Sequence, residues 1–272
     1  MENEQNQKIK DGIKQTFDDV ADKYDGNKQF IISAKKMVEL IDLEDKNLNI
    51  LDLSTGTGNI AIELAQKFPN SNIYGVDLSN EMLKIARAKA KELALGNIDF
   101  QVQDVENLSF KDMKFDLITC GYGLFFYPNM DEVFKDICSR VKNGGEFVFS
   151  TFTKDAFEPY SKIFLEMLDQ NYDIRPPQNL EERLLDTKEQ IKELSKQVEY
   201  KDLAINEVEI RFPMDIDEWW KLLNSTGYKG LLLELGENYG KFEKEYLSYL
   251  GTLRGDNNID YNADSFITKM YF

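Results

Sequence analysis

Apolar positions along this chain follow two alternating periods. Ile9, Ile13, Phe17, Val20, Ala21 and Tyr24 share one side of a helix over 8–24. Phe30, Ile31, Ala34, Met37, Val38 and Leu40 do the same over 28–42. Short apolar runs then alternate with helical stretches. The pattern predicts strand 48–53, helix 59–68, strand 72–76, helix 80–94, strand 98–103, strand 115–120, helix 131–142 and strand 146–152. Ser79 is placed to cap the helix it precedes, and Asn143-Gly144-Gly145 to turn the chain into the last of these strands. Strands separated by helices are βαβ units. Their right-handed crossovers give a doubly wound, mostly parallel sheet with a ligand crevice at the strand C-termini.

Beyond residue 153 the rhythm changes. A helix is predicted over 155–170, broken by Pro176-Pro177, then a charged helix over 187–198. Val208, Ile210 and Phe212 alternate with Glu207, Glu209 and Arg211, which reads as a strand over 207–212. Helices at 215–227 and 239–250 and a strand at 266–271 follow. The two late strands read as a hairpin with a helical insertion. The organisation is therefore N-terminal helices over 1–45, an α/β core over 46–153, and the last two strands with helical lid insertions over 154–272, within one domain.

Composition narrows the function classes. The 272 residues carry 33 basic and 49 acidic side chains, a net charge of −16, which disfavours nucleic acid and anionic membrane as partners. The chain has no histidine, which excludes a His-based triad, a His general base and His-ligated zinc. Two cysteines, Cys120 and Cys138, suit a reducing compartment. No apolar run is long enough to cross a membrane, and the first residues resemble neither signal nor transit peptide. The expected location is the cytoplasm.

The most informative stretch is Asn49 to Ala65, where an apolar strand enters Gly56-Thr57-Gly58 and a helix follows. Glycines let backbone approach a ligand, and the helix N-terminus behind them favours an anionic group. Gly56-x-Gly58-x-x-Ala61 also satisfies the dinucleotide fingerprint. Asp77 ends the second strand about 20 residues on, where a carboxylate accepts from ribose hydroxyls. Asp104 follows the third strand, where an acid suits an adenine amine but is not needed by a dinucleotide.

The order Asp52, Gly56, Gly58, Asp77, Asp104 resembles the class I S-adenosylmethionine-dependent methyltransferases, in particular the quinone-biosynthesis and small-molecule group. Phe17-Asp-Asp-Val-Ala-Asp-Lys-Tyr24-Asp is similar to the N-terminal helix those enzymes fold over the cofactor. Leu51-Asp-Leu-Ser-Thr-Gly-Thr-Gly58 is similar to their first motif, Val105-Glu-Asn-Leu108 to their adenine loop, and Val141-Lys-Asn-Gly-Gly-Glu-Phe-Val-Phe149 to the turn into their fifth strand. The resemblance covers 8–153 and is weaker at Asp217-Glu-Trp-Trp-Lys-Leu-Leu223 and Ser225-Thr-Gly-Tyr228.

The resemblance implies a Rossmann-like seven-stranded sheet with an antiparallel C-terminal strand and a helical lid. It implies S-adenosylmethionine as cofactor and S-adenosylhomocysteine as product. The loop Asp52, Ser54, Thr55, Gly56, Gly58 would hold the methionyl end, with Tyr24 closing over it. Leu78 and Met82 would pack on ribose and adenine, Asp104 and Val105 would bind the adenine edge, and Cys120 and Gly121 would face the ammonium through backbone. The family usually has glycine where Ser54 stands. Its Cβ predicts a negative φ, and its hydroxyl or that of Thr55 is a candidate partner for the methionyl part.

Methyl transfer from a sulfonium is a displacement, and the protein's task is to align the acceptor and exclude water. The acceptor is expected above Gly121–Tyr127, under the lid. Tyr122, Phe125, Phe126, Tyr127, Phe157, Tyr160, Trp219 and Trp220 are the candidates for its walls. As a group they suit a flat or apolar acceptor, or an amine held by cation–π contact. No metal is called for, and no base is named. The partner is a small molecule, and the chain is expected to be a monomer or homodimer. The alternatives are a nicotinamide-dependent oxidoreductase, or a binding protein that holds S-adenosylmethionine without catalysis.

Overall fold

The computed structural model describes residues 2–176, 184–254 and 258–272. The core strands are β1 (Asn49–Leu53), β2 (Asn72–Asp77), β3 (Ile98–Val102), β4 (Phe115–Gly121) and β5 (Val141–Phe152). Later come β6 (Asp202–Val208), β7 (Arg211–Asp215), β8 (Asn258–Asn262) and β9 (Ser265–Tyr271). The main sheet has seven strands in the order β3-β2-β1-β4-β5-β9-β6, with β9 antiparallel to β5 and β6. This is the expected doubly wound sheet with its antiparallel C-terminal strand. The order reverses between β1 and β4, so the crevice opens at their C-terminal ends.

Both faces of the sheet are buried because successive side chains point opposite ways. Leu51, Ile118, Phe147, Phe149 and Met270 pack on one face with Phe134, Ile137 and Ile191. Ile50, Leu117, Val148 and Ile267 pack on the other with Met37, Leu64 and Leu83. The covering helices are α5 (Met130–Ser139) and α7 (Lys188–Ser195) on the first face. On the second they are α2 (Lys28–Glu39), α3 (Asn59–Lys67) and α4 (Asn80–Glu92). Ser79 Oγ accepts the Met82 N–H at 3.1 Å, as its position before α4 predicts.

The leading helix differs from expectation. The α-helix α1 (Glu2–Val20) starts earlier than position 8, and Ala21–Gly26 continue it as a tighter 3₁₀ turn carrying Tyr24. At the other core boundary, Asn143-Gly144-Gly145 lies inside β5 as a bulge. Phe115 pairs with Val141 but Leu117 with Glu146, and Gly144 has φ +88°.

The lid is α6 (Tyr160–Tyr172), α8 (Ile216–Leu223), α9 (Lys229–Glu234) and α10 (Tyr239–Arg254), with the ribbon β7–β8. The helix expected over 155–170 begins at Tyr160 and ends at Tyr172, where Asp173 turns left-handed (φ +55°) ahead of Pro176. Pro177 lies outside the described residues. The strand expected over 207–212 is really the junction of two. β6 pairs with β9, β7 leaves to pair with β8, and the Asp264 carboxylate accepts the Ile210 N–H at 2.9 Å where they part. β6 and β9 thus form the expected hairpin, enclosing a ribbon and helices rather than helices alone. No helix among the described residues is long and apolar enough to cross a membrane.

Candidate functional site

The loop between β1 and α3 is built around two left-handed glycines. Gly56 has φ +56° and Gly58 φ +79°. A Cβ on Gly58 would stand 2.9 Å from Ala86 Cβ and 3.0 Å from Phe100 Cζ, so glycine there lets α3 and α4 close on β3. Nothing lies within 4 Å of a Cβ position on Gly56, so the loop's face is open at that point. A Cβ on Gly121, at the end of β4, would stand 2.5 Å from Ile60 Cδ1, so the tip of Ile60 would have to shift to admit a side chain there.

Three carboxylates stand at the strand ends. Asp52 is buried, with Oδ2 accepting from Thr55 Oγ1 at 2.6 Å and Oδ1 from Thr119 Oγ1 at 2.7 Å. Thr119 is its register partner on β4, so the carboxylate ties the loop to the neighbouring strand. Burial raises its pKa to about 6 against the two hydroxyl bonds that lower it. Asp77 accepts the Gly56 N–H at 2.9 Å through Oδ2 and the Ser79 N–H at 2.8 Å through Oδ1. Desolvation raises its pKa too, against those backbone bonds. Asp104 caps the 3₁₀ turn Val105–Asn107 by accepting the Glu106 N–H at 3.0 Å, and its Oδ2 meets Lys10 Nζ at 2.6 Å. Lys10 also reaches Glu106, 3.1 Å away, so α1 is strapped across the end of β3.

The expectation of a negative φ at Ser54 does not hold: its φ is +48°. Its Oγ lies 2.8 Å from Tyr127 Oη, and a Cβ on Gly123 would stand 2.9 Å from its own Cβ. The hydroxyls of Ser54 and Thr55 are therefore directed to protein partners, Tyr127 and Asp52, rather than into the crevice. Cys120 is buried beside the same Tyr127 Oη at 3.5 Å, and burial pushes its thiol up to about 12, which leaves it un-ionised at neutral pH.

Met82 is buried against Val20 and Ala21, with Phe17 and Tyr24 packed on that cluster. Leu78 is half-buried and Val105 buried. An aromatic row leads away from this edge. Phe126 meets Phe17 edge-on at 5.5 Å, Tyr24 stacks on Phe30 at 5.0 Å, Phe30 meets Tyr122 at 5.4 Å, and Tyr122 stacks on Phe152 at 4.2 Å. Phe152 then meets Phe157 at 4.7 Å. Tyr122 also bonds Ser33 Oγ at 2.7 Å and Ser265 Oγ at 2.8 Å.

The structure thus brings Tyr24, Tyr122, Phe126 and Phe157 into this row. Tyr160, Trp219 and Trp220 instead belong to the lid's own core. Trp219 donates its indole N–H to Tyr246 Oη at 2.7 Å, and Trp220 packs on Tyr239, Phe242 and Tyr246, so both are spent on joining α8 to α10. As walls of an open pocket they are corrected.

Other residues at the site carry no signal in the sequence. Thr119 is legible only once the register is known. Asp25 accepts from Thr57 Oγ1 at 2.6 Å and Lys89 Nζ at 2.9 Å, fastening the 3₁₀ turn to the loop and to α4. Among the described residues, no group of three or more Cys, Asp or Glu is placed to hold a metal ion.

Comparison with known proteins agrees with this geometry. A family profile described as a methyltransferase domain matches residues 44–227. The demethylmenaquinone methyltransferase of Lactococcus lactis is 38% identical over 143 residues, 50% of this chain and 56% of that protein. The ubiquinone/menaquinone biosynthesis C-methyltransferase of Rickettsia massiliae is 32% identical over 168 residues, 58% of this chain and 67% of that one. The chain thus spans from just over half to two thirds of the length of these curated relatives. Among solved structures, the YcgJ protein of Bacillus subtilis superposes with a TM-score of 0.57 at 18% identity, covering 88% of this chain and 97% of that one. A phosphoethanolamine N-methyltransferase of Haemonchus contortus, solved with S-adenosylhomocysteine, gives 0.54 at 18% identity over 88% of this chain and 52% of its own. These structural likenesses speak for the fold, and the profile match, which covers well over half of the sequence, shows that the chain belongs to the methyltransferase-domain family.

Proposed function

We propose that this protein transfers a methyl group from S-adenosylmethionine to a small, flat, largely apolar acceptor. The observation that carries the reading is the convergence of the open Gly56 face, Asp77 and Asp104 at the C-terminal ends of neighbouring strands β1, β2 and β3. The residues fit the cofactor's chemistry. Asp77 offers a carboxylate to two ribose hydroxyls, Asp104 an acceptor to the adenine amine, and Leu78, Met82 and Val105 apolar surface to the rings. Gly56 leaves room for the methionyl part, Gly58 lets α4 and β3 close on the loop, and Ser54, Thr55 and Asp52 shape the loop behind them. Tyr24 and the end of β4, Cys120 and Gly121, flank it. When bound, the cofactor supplies an electrophilic methyl on a sulfonium.

The chain's own part is alignment and exclusion of water, a kind of assistance worth about 7–11 kcal/mol in well-oriented systems. The row from Phe126 through Tyr122 to Phe157 provides aromatic surface for a planar acceptor. The two curated relatives are named for quinone methylation, which agrees with a planar ring acceptor. Both cysteines are free and buried, which agrees with a cytoplasmic location. Calorimetry decides the cofactor. S-adenosylmethionine should bind and NAD should not, and the reverse would sink the reading. A screen of metabolites with radiolabelled cofactor then identifies the acceptor.

A further inference from the structure

The carboxamide of Gln29 is fully buried, and neither its Nε2 nor its Oε1 has a hydrogen-bond partner. Native interiors rarely tolerate this. An unsatisfied buried amide is destabilising, and a carboxamide has both donor and acceptor capacity to waste. An apolar side chain of the same shape would be more stable here. A group held at such a cost is a candidate for a partner that arrives from outside.

The position of Gln29 says where that partner would lie. Gln29 stands in the first turn of α2, and Ser33 stands one turn later on the same face. Ser33 accepts from Tyr122 Oη at 2.7 Å, and Tyr122 is the centre of the aromatic row. Phe30, the residue after Gln29, sits in that row between Tyr24 and Tyr122. Two further buried groups on bordering elements also lack partners. They are Asn27 Nδ2, just before α2, and Tyr261 Oη, whose ring meets Phe157 at 5.8 Å. Asn27 Oδ1, by contrast, is taken by Ser225 Oγ at 3.2 Å. Gln29, Asn27, Ser33, Tyr122 and Tyr261 are all uncharged at neutral pH. A charged ligand group buried among them would have no counter-ion, which disfavours phosphate, carboxylate and ammonium alike.

We propose that Gln29 is a specificity-determining contact for the acceptor, its carboxamide hydrogen-bonding a neutral hydroxyl or carbonyl oxygen on a planar ring that lies along the aromatic row. This rests on the flat-acceptor reading above. It adds the residue that fixes which edge of the ring faces inward. The unpaired amide is then a stability cost retained for binding.

The test uses the full chain saturated with S-adenosylhomocysteine, with 1-naphthol and naphthalene as probes, titrated by calorimetry. The wild type should bind 1-naphthol at least tenfold more tightly than naphthalene. Gln29→Met should erase that preference and leave affinity for S-adenosylhomocysteine unchanged. The melting temperature of the unliganded Gln29→Met protein should rise, because the orphaned amide is gone. A structural role would lower it. Gln29→Leu gives the same two readings in a second background. The proposal is overturned if the wild type shows no preference, if either variant keeps it, or if both variants melt lower or fail to fold. Binding of S-adenosylhomocysteine without binding of either arene would instead remove the flat-acceptor reading, and this inference with it.

Discussion

Ser54 Oγ lies 2.8 Å from Tyr127 Oη while the Ser54 backbone stands at φ +48°. The two facts belong together. A left-handed conformation costs a residue with a Cβ about 1 kcal/mol relative to glycine, and one hydrogen bond returns about as much. The hydroxyl therefore offsets the strain that it accompanies. Ser54→Ala keeps the strain and loses the bond, so it should destabilise by about 1–2 kcal/mol. Ser54→Gly loses both and should lie close to wild type. Denaturant unfolding of the two variants reads the difference. An alanine variant as stable as the glycine one would mean that the backbone at this position is not left-handed.

Asp77 grips the Gly56 and Ser79 N–H groups, so its removal affects both the ribose contact and the loop. Asp77→Ala should weaken S-adenosylhomocysteine binding at least thirtyfold, about 2 kcal/mol, as expected for loss of charge-assisted bonds. The two contributions separate with a 2′-deoxy analogue of the ligand. If the carboxylate holds the ribose, the variant loses less affinity for the analogue than for the parent. An equal loss for both would assign Asp77 to the loop alone.

Much of the fold was legible because the two periods are distinct. Leu51 and Leu53 against Ile50, or Phe147 and Phe149 against Val148, sort to opposite faces by alternation alone. The lid was less legible. Val208, Ile210 and Phe212 alternate straight through the break between β6 and β7, because the exchange of partners is made by Asp264, more than fifty residues later. The short α9 and the strand β8 carry too few apolar positions to show a period. At the site, the glycines and the acids at strand ends could be read from spacing. The φ of Ser54 could not, and neither could the partner of its hydroxyl, because Tyr127 lies 73 positions away. Trp219 and Trp220 misled because a large aromatic serves a core as readily as a pocket.

Burial holds Asp52 at a pKa of about 6, above its ordinary value of 3.8. The folded state thus binds the proton more tightly than the unfolded chain. The stability from this group is fully present below the unfolded value and is lost as pH rises through about 6. A gap of that size is worth about 3 kcal/mol. Asp52→Asn does not ionise and still offers polar atoms to the Thr55 and Thr119 hydroxyls. Its stability relative to wild type should therefore increase by 2–3 kcal/mol, roughly, between pH 4 and pH 7.5. Urea titrations at the two pH values check this, and a difference independent of pH would place the proton elsewhere.

Gly58 tests whether the loop's geometry is set by packing as well as by φ. Its φ of +79° alone makes alanine unfavourable by about 1 kcal/mol. The added methyl would also meet Ala86 Cβ at 2.9 Å and the Phe100 ring at 3.0 Å. Ala86 is on α4 and Phe100 on β3, both buried, so neither can move away without shifting its element. Overpacking of this kind adds about 1–3 kcal/mol. Gly58→Ala should thus destabilise by 2–4 kcal/mol, roughly, and weaken cofactor binding with it. The packing share can be isolated with Ala86→Gly, which clears the closer contact. The pair should recover at least about 1 kcal/mol beyond the sum of the single changes, the coupling expected of neighbours in contact. Strict additivity in a double-mutant cycle would show that backbone conformation, and not the approach of α4, fixes glycine at this turn.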